Sequence, residues 1–468
     1  MSVWIGLAIF VLALGWLGGI DLLGWAVSTS VWIDPGQALG TVSKTYAQLG
    51  GAGALVLTYV ALLAVLTAGA SALNLDLKRF AIAFTAVFAF AYASWIIGSY
   101  AYVAVVTPAD QQKFGIGWSL KLTNEGGYVV ALLVGLTIAN FFPRLAEWLK
   151  EAIRPELYIK IAIVILGAFL AVTAAGRLTL ASSLLLRGIA AIVEAYLIYW
   201  AVVYYVARQW FGFNREWAAP LASGISICGV SAAIAVGGAI RARPMVPVVV
   251  SSLVVIFAVV EVLILPFLAQ TFLWQEPMVA GAWMGLAVKT DGAAIAGGGM
   301  TESLILAKSA AAGIRYQPGW ILGVTATVKV FIDIFIGIWA FVLGYIWTNH
   351  INPSQDKARF AEIWQRFPKF IIGFVLTFAV GLYLALGTSP EISARLPAAI
   401  GEANTFRVIF FILTFFSIGI LSDFRRLWQE GIGKLAAVYL LSLFGFVIWV
   451  GLIISWLFFG GIHPPLAS

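Results

Sequence analysis

Apolar positions in this chain come in long unbroken runs, not in the alternation of a half-buried strand or the one-sided stripe of a soluble helix. Runs that approach or exceed a bilayer's thickness cover residues 3–27, 47–73, 80–106, 126–142, 157–176, 184–206 and 218–240. They continue at 246–272, 278–299, 321–347, 370–386, 406–421 and 435–459. A spanning helix needs roughly 20 apolar residues, and irregular backbone cannot face lipid, so these thirteen runs predict thirteen membrane helices. The alternating pattern of a membrane barrel is absent. The first run has an apolar core longer than that of a signal peptide and no Lys or Arg before Lys44. It is therefore read as a retained helix with Asp21 near its end.

Composition agrees. Of 468 residues 62% are hydrophobic and 10% charged, with a mean hydropathy of +0.99. A soluble domain carries about 25% charge. The net charge of +7 would suggest nucleic acid in a soluble protein. Here 26 of the 28 basic residues lie outside the centres of the apolar runs, where they report topology, so no nucleic-acid partner is expected. Fifteen of them fall on one side of the predicted alternation and eleven on the other, which favours a cytoplasmic N-terminus. Tryptophans such as Trp25, Trp118, Trp148, Trp210, Trp274 and Trp347 recur at run ends, as an interfacial belt does. Between residues 348 and 369, Phe360, Ile363, Trp364 and Phe367 have the spacing of a short amphipathic helix lying on the membrane surface.

The chain holds one cysteine, Cys228, and two histidines, His350 and His463, both at run ends. That argues against a disulfide framework, a bis-histidine haem or a histidine metal cluster. No phosphate-binding G-x-x-x-x-G-K-[ST] run occurs, which disfavours ATP-driven transport by this chain alone. No catalytic residues, cofactor or metal are expected, and the chain is not read as an enzyme. Its partners are lipid and a small solute.

Several places depart from plain hydrophobic spans. Residues 220–244 carry Ser223, Gly224, Ser226, Gly229, Ser231, Gly237 and Gly238, a pattern open to two readings: close helix packing, or a discontinuous helix whose freed N–H groups and hydroxyls bind an ion. Residues 278–300 hold Lys289, Thr290 and Asp291 in an apolar window beside Gly292. Charge at that depth is costly unless paired or wetted, so either the helix breaks there or these residues form a short loop between two half-length segments. Lys329 and Asp333 are four apart on one helix and either neutralise each other or serve function. Glu194 and Glu261 are lone acids in apolar runs, each a protonated carboxyl or a proton carrier. Finally, Ser417, Gly419 and Ser422 interrupt an aromatic run before Arg425 and Arg426. If the ten runs from Gly126 divide five and five, the interruptions at 220–240 and 406–421 both fall fourth in their halves. Corresponding interruptions point to a transporter site built from inverted repeats.

At these segments the chain resembles the YeiH family of proteins named as sulfate exporters. The family's S-I-C-G-x-S-A motif corresponds to Ser226, Ile227, Cys228, Gly229, Val230, Ser231 and Ala232. Its G-x-A-V-N-D element corresponds to the segment from Gly285 to Asp291, with Lys289 in the Asn position and a one-residue shift before the acid. Its A-x-V-K element corresponds to Ala326, Thr327, Val328 and Lys329, its F-x-x-G-F block to Phe370 through Phe374, and its I-G-L-x-x-D block to Ile418 through Asp423. Ile332 replaces a basic residue that often follows the V-K element. The resemblance covers residues 126–468.

It implies an all-α polytopic membrane protein related to bile-acid symporters and sodium/proton antiporters. The expected architecture is a three-helix extension at 1–110, a first five-helix repeat at 120–272 and a second at 278–468, with two discontinuous crossed helices. The extension would serve as scaffold or as the surface of a homodimer. The resemblance implies a secondary active transporter of a small anion, a sulfate-like oxyanion by preference, in a bacterial inner membrane and driven by a proton or sodium gradient. Substrate would be bound by Ser223, Gly224, Ser226, Cys228, Gly229, Ser231, Lys289, Thr290, Lys329, Ser417 and Gly419. Ion coupling would fall to Asp291, Asp333, Glu261 and Glu194. The alternatives are a cation/proton antiporter using the same acids and a membrane subunit or receptor without flux of its own.

Overall fold

The structure is a computed structural model describing residues 1–72, 75–105, 108–120, 122, 126–243, 245–352, 364, 367–387, 389–423 and 433–467. Among them, nine helices are long and apolar enough to cross a membrane. A tenth counts if Gly126–Phe141 is joined to the helical stretch bent away from it by 117°. Three shorter apolar helices, Ser2–Gly18, Val230–Ala239 and Pro277–Ala287, account for the difference from thirteen predicted spans. The chain is an all-α polytopic membrane protein, and among the described residues the strands are confined to one small hairpin, in which Val27–Thr29 pairs antiparallel with Leu39–Thr41. The surface-helix reading of 348–369 falls largely on residues outside those described, Phe360 and Ile363 included.

The chain forms two compact units. The first contains residues 1–180 and 369–421. Here Pro155–Ala175, thirteen of whose residues are buried, packs against Phe370–Gly387, Pro390–Leu421 and the leading Ser2–Ala13. The leading helix is thus part of this unit's own packing. The long Pro390–Leu421 helix also lies against Gly126–Phe141. Side chains are absent where the two backbones meet: a Cβ on Gly419 would sit 2.4 Å from Leu132 O, and one on Gly135 2.4 Å from Phe416 O. The small residues read as an interruption therefore mark close backbone approach. The helix runs unbroken from Pro390 to Leu421.

The second unit contains residues 181–368 and 422–468, and its helices are of two kinds. Met245–Phe272 and Trp320–Ile334 are continuous. Two others are broken. Arg215–Ser226 stops, three residues pass without helical geometry, and Val230–Ala239 resumes. Likewise Pro277–Ala287 stops, and Asp291–Ala311 resumes after Val288, Lys289 and Thr290. The first break is made at Gly229, whose φ of 72° and ψ of −114° suit a residue without a Cβ. The second is made by extended Val288 and Thr290, and the Thr290 hydroxyl caps the new helix by accepting from Ala293 N at 3.2 Å. Both positions lie in the regions singled out as departures from plain spans.

Candidate functional site

The two breaks adjoin inside the second unit: a Cβ on Gly229 would fall 3.1 Å from Thr290 Cγ2 and 3.3 Å from Lys289 O. Wherever a helix stops, carbonyl groups lose their intrahelical partners and carry the negative end of the helix dipole. In lipid they must find donors within the protein. Trp320–Ile334 supplies one. It docks on Pro277–Ala287 where Gly281 and Gly285 leave room, a Cβ on Gly281 lying 2.5 Å from Ile321 O, and Thr325 Oγ1 donates to Gly281 O at 2.7 Å. This docking carries Lys329 to the breaks. Its ammonium donates to Ile227 O at 3.3 Å and to Lys289 O at 3.3 Å, one carbonyl from each break. Lys329 is 2% exposed.

Lys289 is equally buried, within the short non-helical link between the two helices. Its backbone N–H donates to Glu261 Oε2 at 2.8 Å, and the other Glu261 oxygen accepts from Tyr439 at 3.4 Å. The Lys289 ammonium donates to Leu286 O and lies 4.5 Å from the centre of the Tyr199 ring, a cation–π arrangement. Glu194 is close by at the start of a π-helical stretch, Glu194–Tyr199. The Tyr199 hydroxyl lies beside it but donates to Val447 O at 2.8 Å. Neither Glu194 oxygen accepts a well-formed hydrogen bond among the described residues.

On the flank of the breaks, Cys228, Asp291 and Asp333 are all buried, and each offers a ligand atom within 4.8 Å of the others. One sulfur and two carboxylates form a donor set suited to a cation. Four acids and two lysines, all buried, thus gather around two short stretches of unwound backbone.

Of the residues expected to bind substrate, Cys228, Gly229, Lys289, Thr290 and Lys329 meet here. Ser226 ends the first half-helix with its buried hydroxyl unpartnered among the described residues. Ser223 is engaged elsewhere, accepting from Trp200 Nε1 at 2.9 Å and donating to Ala219 O. Gly224 packs on Val250 and Val254, and Ser231 follows the break within Val230–Ala239. Ser417 and Gly419 belong to the first unit, inside the continuous Pro390–Leu421 helix. Within the second unit the other broken helix is therefore Pro277–Ala311, not 406–421.

A family model described as conserved hypothetical protein 698 matches residues 113–438. A UPF0324 membrane protein of Nitrosomonas europaea is 40% identical over 99% of this chain and 96% of its own length. The chain belongs to the UPF0324 family, the YeiH family. A UPF0324 membrane protein of Rhodopirellula baltica is 32% identical over 64% of this chain and 51% of its own length. An uncharacterized protein of Archaeoglobus fulgidus is 46% identical over 35% of this chain and 97% of its own length. Three of the family motifs fall on the breaks of the second unit and on Lys329, while the Phe370–Phe374 block and most of the Ile418–Asp423 block lie in the first unit. The Nitrosomonas relative also spans the leading helices, so they are not peculiar to this chain.

Sequence reasoning missed three residues. Tyr199 and Tyr439 complete the surroundings of Lys289 and Glu261, but an isolated tyrosine in an apolar run carries no signal of its partner. The third, Glu302, accepts from Gly319 N at 2.9 Å, Ile321 N at 2.9 Å and Leu322 N at 3.0 Å, and so caps the start of the Lys329 helix from a neighbouring one. At the edge of the unit, Glu216 is held below the ordinary carboxylate range first by the Arg243 backbone N–H, at 2.7 Å, and then by its guanidinium at 3.1 Å.

Proposed function

We propose that this UPF0324 protein is a secondary active transporter that does no chemistry on its cargo. Alternating access would operate around the adjoining breaks of the second unit. The observation that carries this reading is the buried Lys329 ammonium lying between carbonyls of two interrupted helices. Discontinuous helices with unwound backbone at depth belong to transporter sites, where dipole ends and freed backbone groups meet cargo and coupling ion. A non-transporting subunit has no physical need for two lysines and four acids buried against broken helices, because each such charge is costly at that depth unless paired or wetted.

Cargo is assigned as a small anion, a sulfate-like oxyanion by family resemblance, exported at the expense of a proton or sodium gradient. Lys289 and Lys329 supply positive charge, and Glu194, Glu261, Asp291 and Asp333 carry the coupling ion. The cluster of Cys228, Asp291 and Asp333 favours a second reading, a cation/proton antiporter in which these acids bind the transported ion. Flux in proteoliposomes separates the two. An anion exporter accumulates labelled sulfate or sulfite, whereas an antiporter dissipates a pH gradient only when sodium or potassium is added. If Lys289→Ala and Lys329→Ala both leave the flux of every tested anion unchanged, the charge part of the assignment fails.

A further inference from the structure

We propose that Lys329 is a built-in coupling cation, its ammonium standing permanently where a free monovalent metal ion would otherwise be held, so that transport by this protein does not use sodium. The inference rests on the transporter reading and narrows its driving ion to the proton.

Each break leaves a carbonyl just past the C-terminal end of a half-helix, Ile227 O beyond Arg215–Ser226 and Lys289 O beyond Pro277–Ala287. Such oxygens lie at the negative ends of helix dipoles. In broken-helix transporters, unwound carbonyls and half-helix C-terminal ends are the groups that coordinate sodium or a proton. Here both oxygens accept from one nitrogen at equal distances of 3.3 Å. An ammonium resembles an alkali cation in charge, and its three N–H donors take the place of the ion's electrostatic bonds to oxygen.

The placement is specific. Lys329 reaches the breaks from a continuous helix packed against the second broken one, and its fourth backbone successor, Asp333, belongs to the acid cluster with Asp291 and Cys228. Cys228 follows Ile227 in the chain, and Asp291 lies two residues beyond Lys289. Removing the amine would thus leave two carbonyls with carboxylates close by, an oxygen-rich environment of the kind that hard monovalent cations prefer. A tethered cation cannot exchange with solvent, so the gradient must act on the remaining titratable acids.

The test compares thermal unfolding of the purified full chain in detergent, in sodium chloride and in choline chloride of equal ionic strength. The wild-type protein is expected to melt at the same temperature in both. Lys329→Ala and Lys329→Ser are expected to melt lower in choline and to recover several degrees in sodium, with a saturating dependence on concentration, because a ligand that binds only the folded state stabilises it. Sodium-dependent stabilisation of the wild type overturns the proposal, as do variants that fold yet respond equally to both salts. Should neither variant fold, the wild type decides: its indifference to sodium, together with flux unchanged when choline replaces sodium, supports the proposal, and dependence of either on sodium overturns it. The melting measurement needs no cargo, so a failure here is distinguishable from a failure of the transporter reading, which appears as absent flux.

Discussion

Replacing Gly229 with alanine probes the first break at its most constrained atom. The residue's φ of 72° and ψ of −114° lie where an L side chain rarely sits, and holding alanine there costs about 1–3 kcal/mol. The new methyl would also lie 2.6 Å from Val254 Cγ1 and 3.1 Å from Thr290 Cγ2. Val254 is fully buried on Met245–Phe272 and has little room to yield, so overpacking adds about 1–3 kcal/mol. The total, about 2–6 kcal/mol, is a large part of a typical protein's net stability. Chemical unfolding in micelles followed by tryptophan fluorescence measures it. Val254→Ala supplies the control, because it removes Cγ1 and relieves the steric part alone. A double-mutant cycle should therefore show favourable coupling of about 1–3 kcal/mol, with the backbone part left unrecovered. Gly229→Ala as stable as wild type would refute the reasoning, and full rescue by Val254→Ala would refute its backbone half.

Two further perturbations address the frame around the site. Glu302→Ala strips the acceptor from three N–H groups at the start of the Lys329 helix, and with each unmade bond worth about 1–3 kcal/mol the expected loss is about 3–5 kcal/mol after relaxation. Glu302→Gln, which keeps one carbonyl acceptor, should lose less, and equal losses would sink the capping assignment. For Glu216 the folded-state pKa is depressed, so its contribution is present above the ordinary carboxylate value and disappears as pH falls through the folded value. Glu216→Gln should therefore flatten the acid side of the unfolding-midpoint profile below the ordinary carboxylate value, and an unchanged slope there would count against the Arg243 contact.

The broken helices show how far the pattern of residues could be read. Glycines and hydroxyls at 223–231, and charges at 289–291 inside an apolar window, both announced a departure from regular helix, and both are real breaks. Ser417, Gly419 and Ser422 made the same kind of signal, yet the helix there runs unbroken through Leu421. Small residues permit unwinding and close backbone packing alike, and the choice depends on what lies opposite. At Gly419 it is the backbone of Leu132 and Gly135; at Gly229 it is Val254 and the second break. The pairing of Lys329 was undecided for the same reason. Its i,i+4 neighbour Asp333 was in view along the chain, but Ile227 O and Lys289 O, 102 and 40 residues away, were not.

What the amino-acid order determines alone is what depends on local chemistry and on the solvent. Long apolar runs with 10% charge demand lipid and helices, and the few ionisable groups inside those runs mark where the protein departs from plain spans. What tertiary structure decides is which departures become one site. Buried charge and unwound backbone are tolerable only when satisfied by groups from elsewhere in the chain, and packing alone brings Lys329, Glu261, Tyr199 and Tyr439 to the same two breaks.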